Sequence, residues 1–398
     1  MLTTVYASKD IEVINNTSVC HYFSKEWVKS GHQVKVVYSY PIYLKILHIL
    51  ASIFKTQITR ISNSSIRTKR ILKTKSYSID GVEINRIPIY KTIPLIKYSK
   101  NSIRTQISKI VGLNEKFKPD IIVGHFHNPN LELIYNLKKI YKVPTCLIVH
   151  GDTSNILQFY KSNYKELLSS IDIYGFRSIP IKNKFEKLFG SNYKSFICYS
   201  GIPKNYFMDY STIKSNKLSN SFVFVGSLIR RKYPLIVLKA LSKSIFNKNF
   251  SLDYVGDGFE KKPILRVMRN LKNKVKLHGK IERKKVQEII LKSQFFIMIS
   301  ENESFGLVYI EAMAKGCIVI ASKNEGMDGV IVHGKNGFLC KAGNENELIK
   351  IINQISLLSE VEKEKISKNA INTAKSFSDS AASRNYLNAI INLNKNNN

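Results

Sequence analysis

The sequence predicts an α/β protein made of two parallel-sheet domains, and three observations carry that prediction. Short β-rich runs alternate with longer stretches at helical spacing, which is the signature of βαβ units. The runs are apolar almost throughout, as strands covered by helices on both faces must be. The chain has 398 residues, 44% of them hydrophobic and 23% charged, enough for two cores rather than one.

In chain order the β-rich runs are 33–38, 81–90, 120–125 and 144–150, then 221–226, 252–256, 275–279, 295–300 and 317–322. Between the two series, residues 210–221 are rich in Ser, Asn and Lys, with only Ile213 and Leu218 able to join a core. The expected organisation is therefore a first domain over 1–200, a linker over 201–220 and a second domain over 221–376. After Ser378-Asp379, apolar residues recur at helical spacing, so 377–398 is expected to form a helix that packs back on the first domain and frays at its Asn-rich end.

Lys and Arg outnumber Asp and Glu 62 to 29, a formal net charge of +33. So large an excess implies anionic partners, whether nucleic acid, an anionic bilayer or phosphate-bearing small molecules. The five cysteines, Cys20, Cys146, Cys198, Cys317 and Cys340, form no C-x-x-C pair, which fits a reducing compartment and no structural zinc. The first ten residues lack the apolar run of a signal peptide, so the protein is expected to stay inside the cell. The longest apolar stretch, 41–55, is interrupted by Lys45 and falls short of the roughly 20 residues that span a bilayer.

Within that stretch, Lys45, His48, Ser52 and Lys55 recur at intervals of three and four. Leu44, Ile46, Leu47, Ile49, Leu50, Ile53 and Phe54 then form a broad apolar face, the pattern of an amphipathic helix. A basic run follows at once, with Lys55, Arg60, Arg67, Lys69, Arg70, Lys73 and Lys75 and no acidic residue. The conjunction predicts an interfacial membrane patch in which Leu47, Leu50, Phe54, Lys55, Arg67, Lys69 and Arg70 meet an anionic surface. A core helix followed by a solvated basic loop is the plainer alternative.

The segment most informative about chemistry is Glu303-Ser-Phe-Gly-Leu-Val-Tyr-Ile-Glu311, which follows one β-rich run and opens a helix over about 306–315. Glu303 then lies in the turn before the helix and Glu311 more than a turn inside it. A ligand at the helix N-terminus can touch both, and phosphate oxygens suit the free N–H groups of Gly306 and Leu307. As a bare pair the carboxylates have ordinary explanations. Glu303 would complement a helix dipole, and Glu311 would sit on a solvated face, although Ile310, Ala312, Met313 and Ala314 around it argue for burial.

The longer stretch Ile299-Ser-Glu-Asn-Glu-Ser-Phe-Gly-Leu-Val-Tyr-Ile-Glu-Ala-Met-Ala-Lys-Gly316 resembles the signature of family 4 retaining glycosyltransferases of the GT-B fold. The likeness continues in order through Val223-Phe-Val-Gly-Ser-Leu-Ile-Arg-Arg-Lys232, Tyr254-Val-Gly-Asp-Gly258, Val275-Lys-Leu-His-Gly279 and Gly334-Lys-Asn-Gly-Phe-Leu339. The first half matches more thinly, at Gly31-His-Gln-Val34, Pro119-Asp-Ile-Ile122, 144–150 and Ser200-Gly-Ile-Pro203. The resemblance implies two Rossmann-like domains whose sheets face each other across a cleft.

It also implies roles. Glu311 would hold the ribose hydroxyls of a nucleotide-sugar donor, Glu303 a hydroxyl of its sugar and Lys232 its diphosphate, with Phe305, Gly306 and Leu307 beside the phosphates. His150, at the end of a buried run, would face the sugar. Ser227 stands where the family commonly has an arginine, which leaves Arg231 or Arg230 to replace it. Asn15-Asn16-Thr17 stands where the family has a glycine-rich loop, so Asn16 and Thr17 become the expected donor contacts there.

No Asp-x-Asp pair occurs, so the diphosphate is expected to be neutralised without a metal or other cofactor. His125, His127 and His150 mimic a metal site, a reading the metal-free family disfavours. The reaction implied is same-face transfer, in which the departing phosphate takes the acceptor's proton. With the basic segment in the acceptor domain, the expected partners are a nucleotide-sugar donor, a lipid-linked saccharide acceptor and an anionic membrane surface, with no nucleic acid. The pathway implied is bacterial surface polysaccharide assembly, at the inner face of the cell membrane. Two alternatives stay open: a nucleotide-sugar epimerase of the same fold, and a non-catalytic basic protein that binds RNA or membrane.

Overall fold

The structure is a computed structural model, and it describes residues 1–6, 19–55, 57–58, 68–94, 96–151, 153–247, 249–272 and 274–395. The chain divides into two compact units. One comprises Met1–Arg177, Ile181–Tyr199 and Asp379–Asn398, the other Ser178–Pro180 and Ser200–Ser378.

The first unit is built on an eight-stranded sheet of β1 (Leu2–Thr3), β2 (Lys35–Ile42), β3 (Lys75–Ile79), β4 (Val82–Tyr90), β5 (Ile122–His125), β6 (Thr145–Val149), β7 (Ile173–Phe176) and β8 (Ser195–Ile197). Their spatial order is β3-β4-β2-β1-β5-β6-β7-β8. All neighbours pair in parallel except β3 and β4, an antiparallel hairpin. Alternation along β6 shows how the sheet is sandwiched. Leu147 and Val149 enter a core with Leu131, Ile134 and Phe176, whereas Cys146 and Ile148 enter another with Phe23, Trp27 and Tyr386.

Tyr386 belongs to the C-terminal helix Asp379–Lys395, which completes this second core. Trp27 donates from Nε1 to the Ser383 carbonyl at 3.1 Å, and the Tyr386 ring packs edge-on against Phe23 and Trp27 at 5.1 and 4.9 Å. All five cysteines are buried and unpaired.

The second unit holds β9 (Leu218–Val225), β10 (Ser251–Val255), β11 (Lys274–Gly279), β12 (Ser293–Ile297), β13 (Ile318–Ser322) and β14 (Phe338–Cys340), all parallel, in the order β11-β10-β9-β12-β13-β14. Residues 201–220, read from the sequence as a linker, contain the helix Tyr210–Asn216 and the start of β9, and Ile213 is fully buried. Strands β1, β3, β7, β8 and β14 were not expected. They are two to five residues long.

The helix Lys45–Ile53 turns most of its apolar row to solvent. His48, counted with the polar face, is buried with Ala51 and accepts the Tyr43 backbone N–H through Nε2 at 3.1 Å. Leu44, Ile46, Ile49, Leu50, Ile53 and Phe54 are exposed, Ile53 by 64%. The helix is therefore no core helix. Lys55 is exposed beside Phe54, and the next basic residues are anchored by their neighbours. Tyr40 donates to the Lys69 carbonyl and Arg70 Nε to the Tyr43 carbonyl. Arg60 and Arg67 lie outside the described residues. Among the described residues no helix is long and apolar enough to cross a membrane.

Candidate active site

In the second unit the strand order is that of a doubly wound sheet: three strands run outward from β9 in one direction, and three from β12 in the other. At such a switch point the connections leave to opposite sides and open a crevice at the carboxyl ends, where ligands collect. The segments that follow β9 and β12 are those singled out by sequence, Gly226–Lys232 and Met298–Gly306.

After β9 the chain turns through exposed Ser227 into a short 3-10 turn, Arg230–Lys232. Lys232 folds back over Gly226, where a side chain would stand with its Cβ only 3.2 Å from Lys232 Nζ. The ammonium lies 3.4 Å from Glu303 Oε2 and 3.7 Å from Met298 Sδ. Sequence separates Lys232 from Glu303 by a complete strand-helix series, and the switch point reunites them.

The loop carrying Glu303 is clamped on two sides. Arg231 accepts the Glu301 N–H at its carbonyl, 2.7 Å away, and donates from Nη1 to the carbonyls of Glu301 and Asn302. Arg231 thus braces the loop, while Arg230 is 82% exposed in its side chain and 3.9 Å from Glu260. On the other side the Glu303 N–H donates to the Glu325 carboxylate at 2.8 Å, and Gly326 N–H to the Glu303 carbonyl at 2.9 Å. Glu325 is a supporting residue that spacing alone did not reveal.

Helix Leu307–Ala314 begins at Gly306, whose φ of +82° is a left-handed conformation suited to glycine. The first N–H groups of any helix lack intrahelical partners and point out along its axis. A phosphate there would meet them together with Lys232. The Phe305 side chain is not part of this arrangement: it is buried against Phe377, with ring centroids 5.8 Å apart. Its share in a ligand site is limited to backbone.

Glu311 is 5% exposed on the same helix. Its Oε1 accepts from Arg283 Nη2 and its Oε2 from Gln287 Nε2, the latter at 2.7 Å. Both partners come from helix Arg283–Lys292, which follows β11. Burial holds the Glu311 carboxyl above its ordinary pKa, with Arg283 and Gln287 pulling the other way. Their spacing of four residues on one helix was the available signal for this pair.

In the first unit, His125 closes β5 and His150 follows β6, with His125 Nδ1 2.9 Å from His150 Nε2. Phe126 stacks on the His150 ring at 3.9 Å, and Tyr386 hydroxyl lies 3.3 Å from His125 Nε2. Burial, with Arg177 nearby, pushes both imidazoles well below their ordinary pKa, so the pair stays neutral. Among the described residues no group of three His, Cys, Asp or Glu is placed to hold a metal ion. Asn16 and Thr17 lie outside the described residues.

This geometry agrees with what the chain resembles. Residues 211–373 match the family model described as Glycosyl transferases group 1. An uncharacterised glycosyltransferase of Methanocaldococcus jannaschii is 28% identical over 273 residues, 67% of this chain and 73% of that one. The capsular polysaccharide biosynthesis glycosyltransferase CapH of Staphylococcus aureus is 28% identical over 41% of this chain, but the match spans only 47% of CapH. Among solved structures, Anabaena HepE in complex with UDP superimposes with a TM-score of 0.68 at 18% identity, covering 98% of this chain and 99% of HepE.

The fold is thus the two-domain GT-B architecture, and the protein is a glycosyltransferase. Its second unit carries a glycosyl transferases group 1 domain, related to those of capsule and other polysaccharide enzymes. That domain accounts for the ordered motifs that a non-catalytic basic protein would leave unexplained.

Proposed function

We propose that this glycosyltransferase transfers a sugar with retention from a UDP-sugar to a lipid-linked saccharide, in the assembly of a bacterial surface polysaccharide. The observation that carries the donor half is the Lys232–Glu303 pair at the switch point, beside the helix N-terminus at Gly306. It provides fixed positive charge for a diphosphate and a carboxylate for a sugar hydroxyl. HepE, which shares the fold, binds UDP.

In this reading the diphosphate lies by Lys232 and the helix N-terminus, Glu311 accepts from the ribose hydroxyls, and Glu303 accepts from the sugar. Neutral His150 offers a hydrogen bond without adding charge. The bond from the anomeric carbon to the diphosphate breaks, and the acceptor oxygen bonds to that carbon from the same face. The departing phosphate oxygen takes the acceptor's proton, leaving UDP and the extended saccharide. Preorganised positive charge does the work of leaving-group stabilisation, so no metal or other cofactor is invoked.

A thermal-shift titration with UDP, GDP and ADP tests the donor half. Occupancy at a hundredfold over Kd stabilises a native state by about 2.7 kcal/mol. UDP is expected to raise Tm by several degrees in wild type and by much less in Lys232→Ala. No shift with any of the three nucleotides in the wild type would sink the reading.

For the acceptor half, the support is the solvent-facing apolar row Ile46, Ile49, Leu50, Ile53 and Phe54, followed in the sequence by Lys55, Lys69, Arg70, Lys73 and Lys75. Basic groups close to an anionic leaflet contribute about 1 kcal/mol each, added to apolar insertion. CapH, a relative, is a capsular polysaccharide biosynthesis glycosyltransferase. In this reading the protein works at the inner face of the membrane, with no nucleic acid partner. Co-sedimentation should show strong binding to vesicles containing phosphatidylglycerol and weak binding to neutral ones, with Ile49→Glu and Ile53→Glu together abolishing both. Equal binding to the two vesicle types would remove the electrostatic part.

A further inference from the structure

Arg283 has no assigned role in the reading above, yet it makes the most specific contacts around Glu311. It opens helix Arg283–Lys292, and its guanidinium spans two elements distant in sequence. Nε donates to the Tyr206 hydroxyl at 2.5 Å while Nη2 donates to Glu311 Oε1. The guanidinium also sits over the Tyr206 ring, its Cζ 5.6 Å from the centroid, and Lys315 Nζ lies 5.9 Å from the same ring. Tyr206 comes from the short turn Lys204–Tyr206, so three separate segments converge on one carboxylate.

An ionised carboxylate has about four acceptor positions, two on each oxygen. One on each oxygen is used: Arg283 on Oε1 and Gln287 on Oε2. One position per oxygen is left over. That spacing matches two adjacent hydroxyls on one ring, each donating to its own oxygen. Without a cationic partner, burial shifts such a carboxylate towards its neutral form, which turns one acceptor position into a donor.

We infer that Arg283 is a positioning residue of the donor site: braced by Tyr206, it orients the Glu311 carboxylate so that its two remaining acceptor positions take the vicinal 2′,3′-diol of a ribonucleotide. This rests on the donor-site reading above and deepens it, because it specifies a ribo- over a deoxyribonucleotide and names the group that enforces the choice. Arg283 itself touches no reacting atom in this scheme.

Affinities of UDP and 2′-deoxy-UDP, measured by calorimetry across pH on wild type, Arg283→Ala, Arg283→Lys and Tyr206→Phe, test the inference. Wild type should prefer UDP about tenfold or more, the loss expected when one hydrogen bond to a charged acceptor is missing. In Arg283→Ala that ratio should collapse towards one. The pH below which UDP binding weakens should also move upward, because the group that opposes burial at Glu311 is gone. Arg283→Lys should restore the pH profile better than the ratio, since it returns charge without the planar fork. Tyr206→Phe should lower the ratio by less, and it keeps the test alive if Arg283→Ala does not fold.

A preference for UDP unchanged in Arg283→Ala and Tyr206→Phe overturns the inference while leaving the donor site standing. Wild type that binds UDP and 2′-deoxy-UDP equally overturns it as well. Failure of wild type to bind either nucleotide overturns the donor-site reading itself, a separable result.

Discussion

Replacing Lys232 by alanine should lower kcat/KM for transfer by about 100-fold or more while the protein remains folded. The side chain is held in the crevice by Gly226, Met298 and Glu303, and it is 14% exposed, so a diphosphate there would meet a charge already in place and largely out of water. Removing one such preorganised group costs about 100- to 1,000-fold in the chemical step. The loss should fall on kcat as well as on donor affinity, because negative charge on the leaving phosphate grows as the glycosidic bond breaks. Steady-state kinetics with a UDP-sugar, together with Tm, provide the check. A loss below about tenfold in a folded variant would mean that Lys232 only solvates a helix start.

The second large effect is expected at Glu311. Glu311→Gln keeps the shape but removes the charge proposed to accept from ribose hydroxyls, and hydrogen bonds to charged groups contribute about 1.5–3 kcal/mol. UDP affinity should fall roughly 10- to 100-fold at neutral pH. The pH dependence gives the sharper reading. Burial raises the Glu311 carboxyl above its ordinary pKa, so the carboxylate and the affinity it supplies are present above that raised value and lost as pH falls through it. The acid limb of UDP binding should therefore lie above the usual carboxylate range near 4.3. In Glu311→Gln that limb should flatten. If the mutant and wild type show the same acid limb, another group controls it.

Both expectations depend on neighbours that a linear reading does not show. Alternation of apolar strands with helical stretches announced two parallel sheets, because strands buried on both faces must be apolar whatever their neighbours. Strands β9 to β13 were all legible on that ground. The strands β7 and β8 were not. The amphipathic pattern of Lys45–Ile53 was legible as a pattern, but its orientation was not. Periodicity identifies two faces, and only the packing of His48 against Tyr43 decides which face turns inward.

The site divides in the same way. The sequence by itself determined the chemistry on offer: a glycine-led helix start and a lysine after strands, and two carboxylates separated by seven residues. It determined the class of protein too, because those residues recur in that order and spacing. Only the tertiary structure decided that Lys232 meets Glu303, that Phe305 faces the core, and that Glu311 is held by Arg283 and Gln287, with Tyr206 against Arg283. The physical reason is that spacing along a chain constrains neighbours within an element. Which elements meet is set by the crossing of helices over a sheet, and that brings together residues such as Tyr206, Arg283 and Glu311, which share no local pattern.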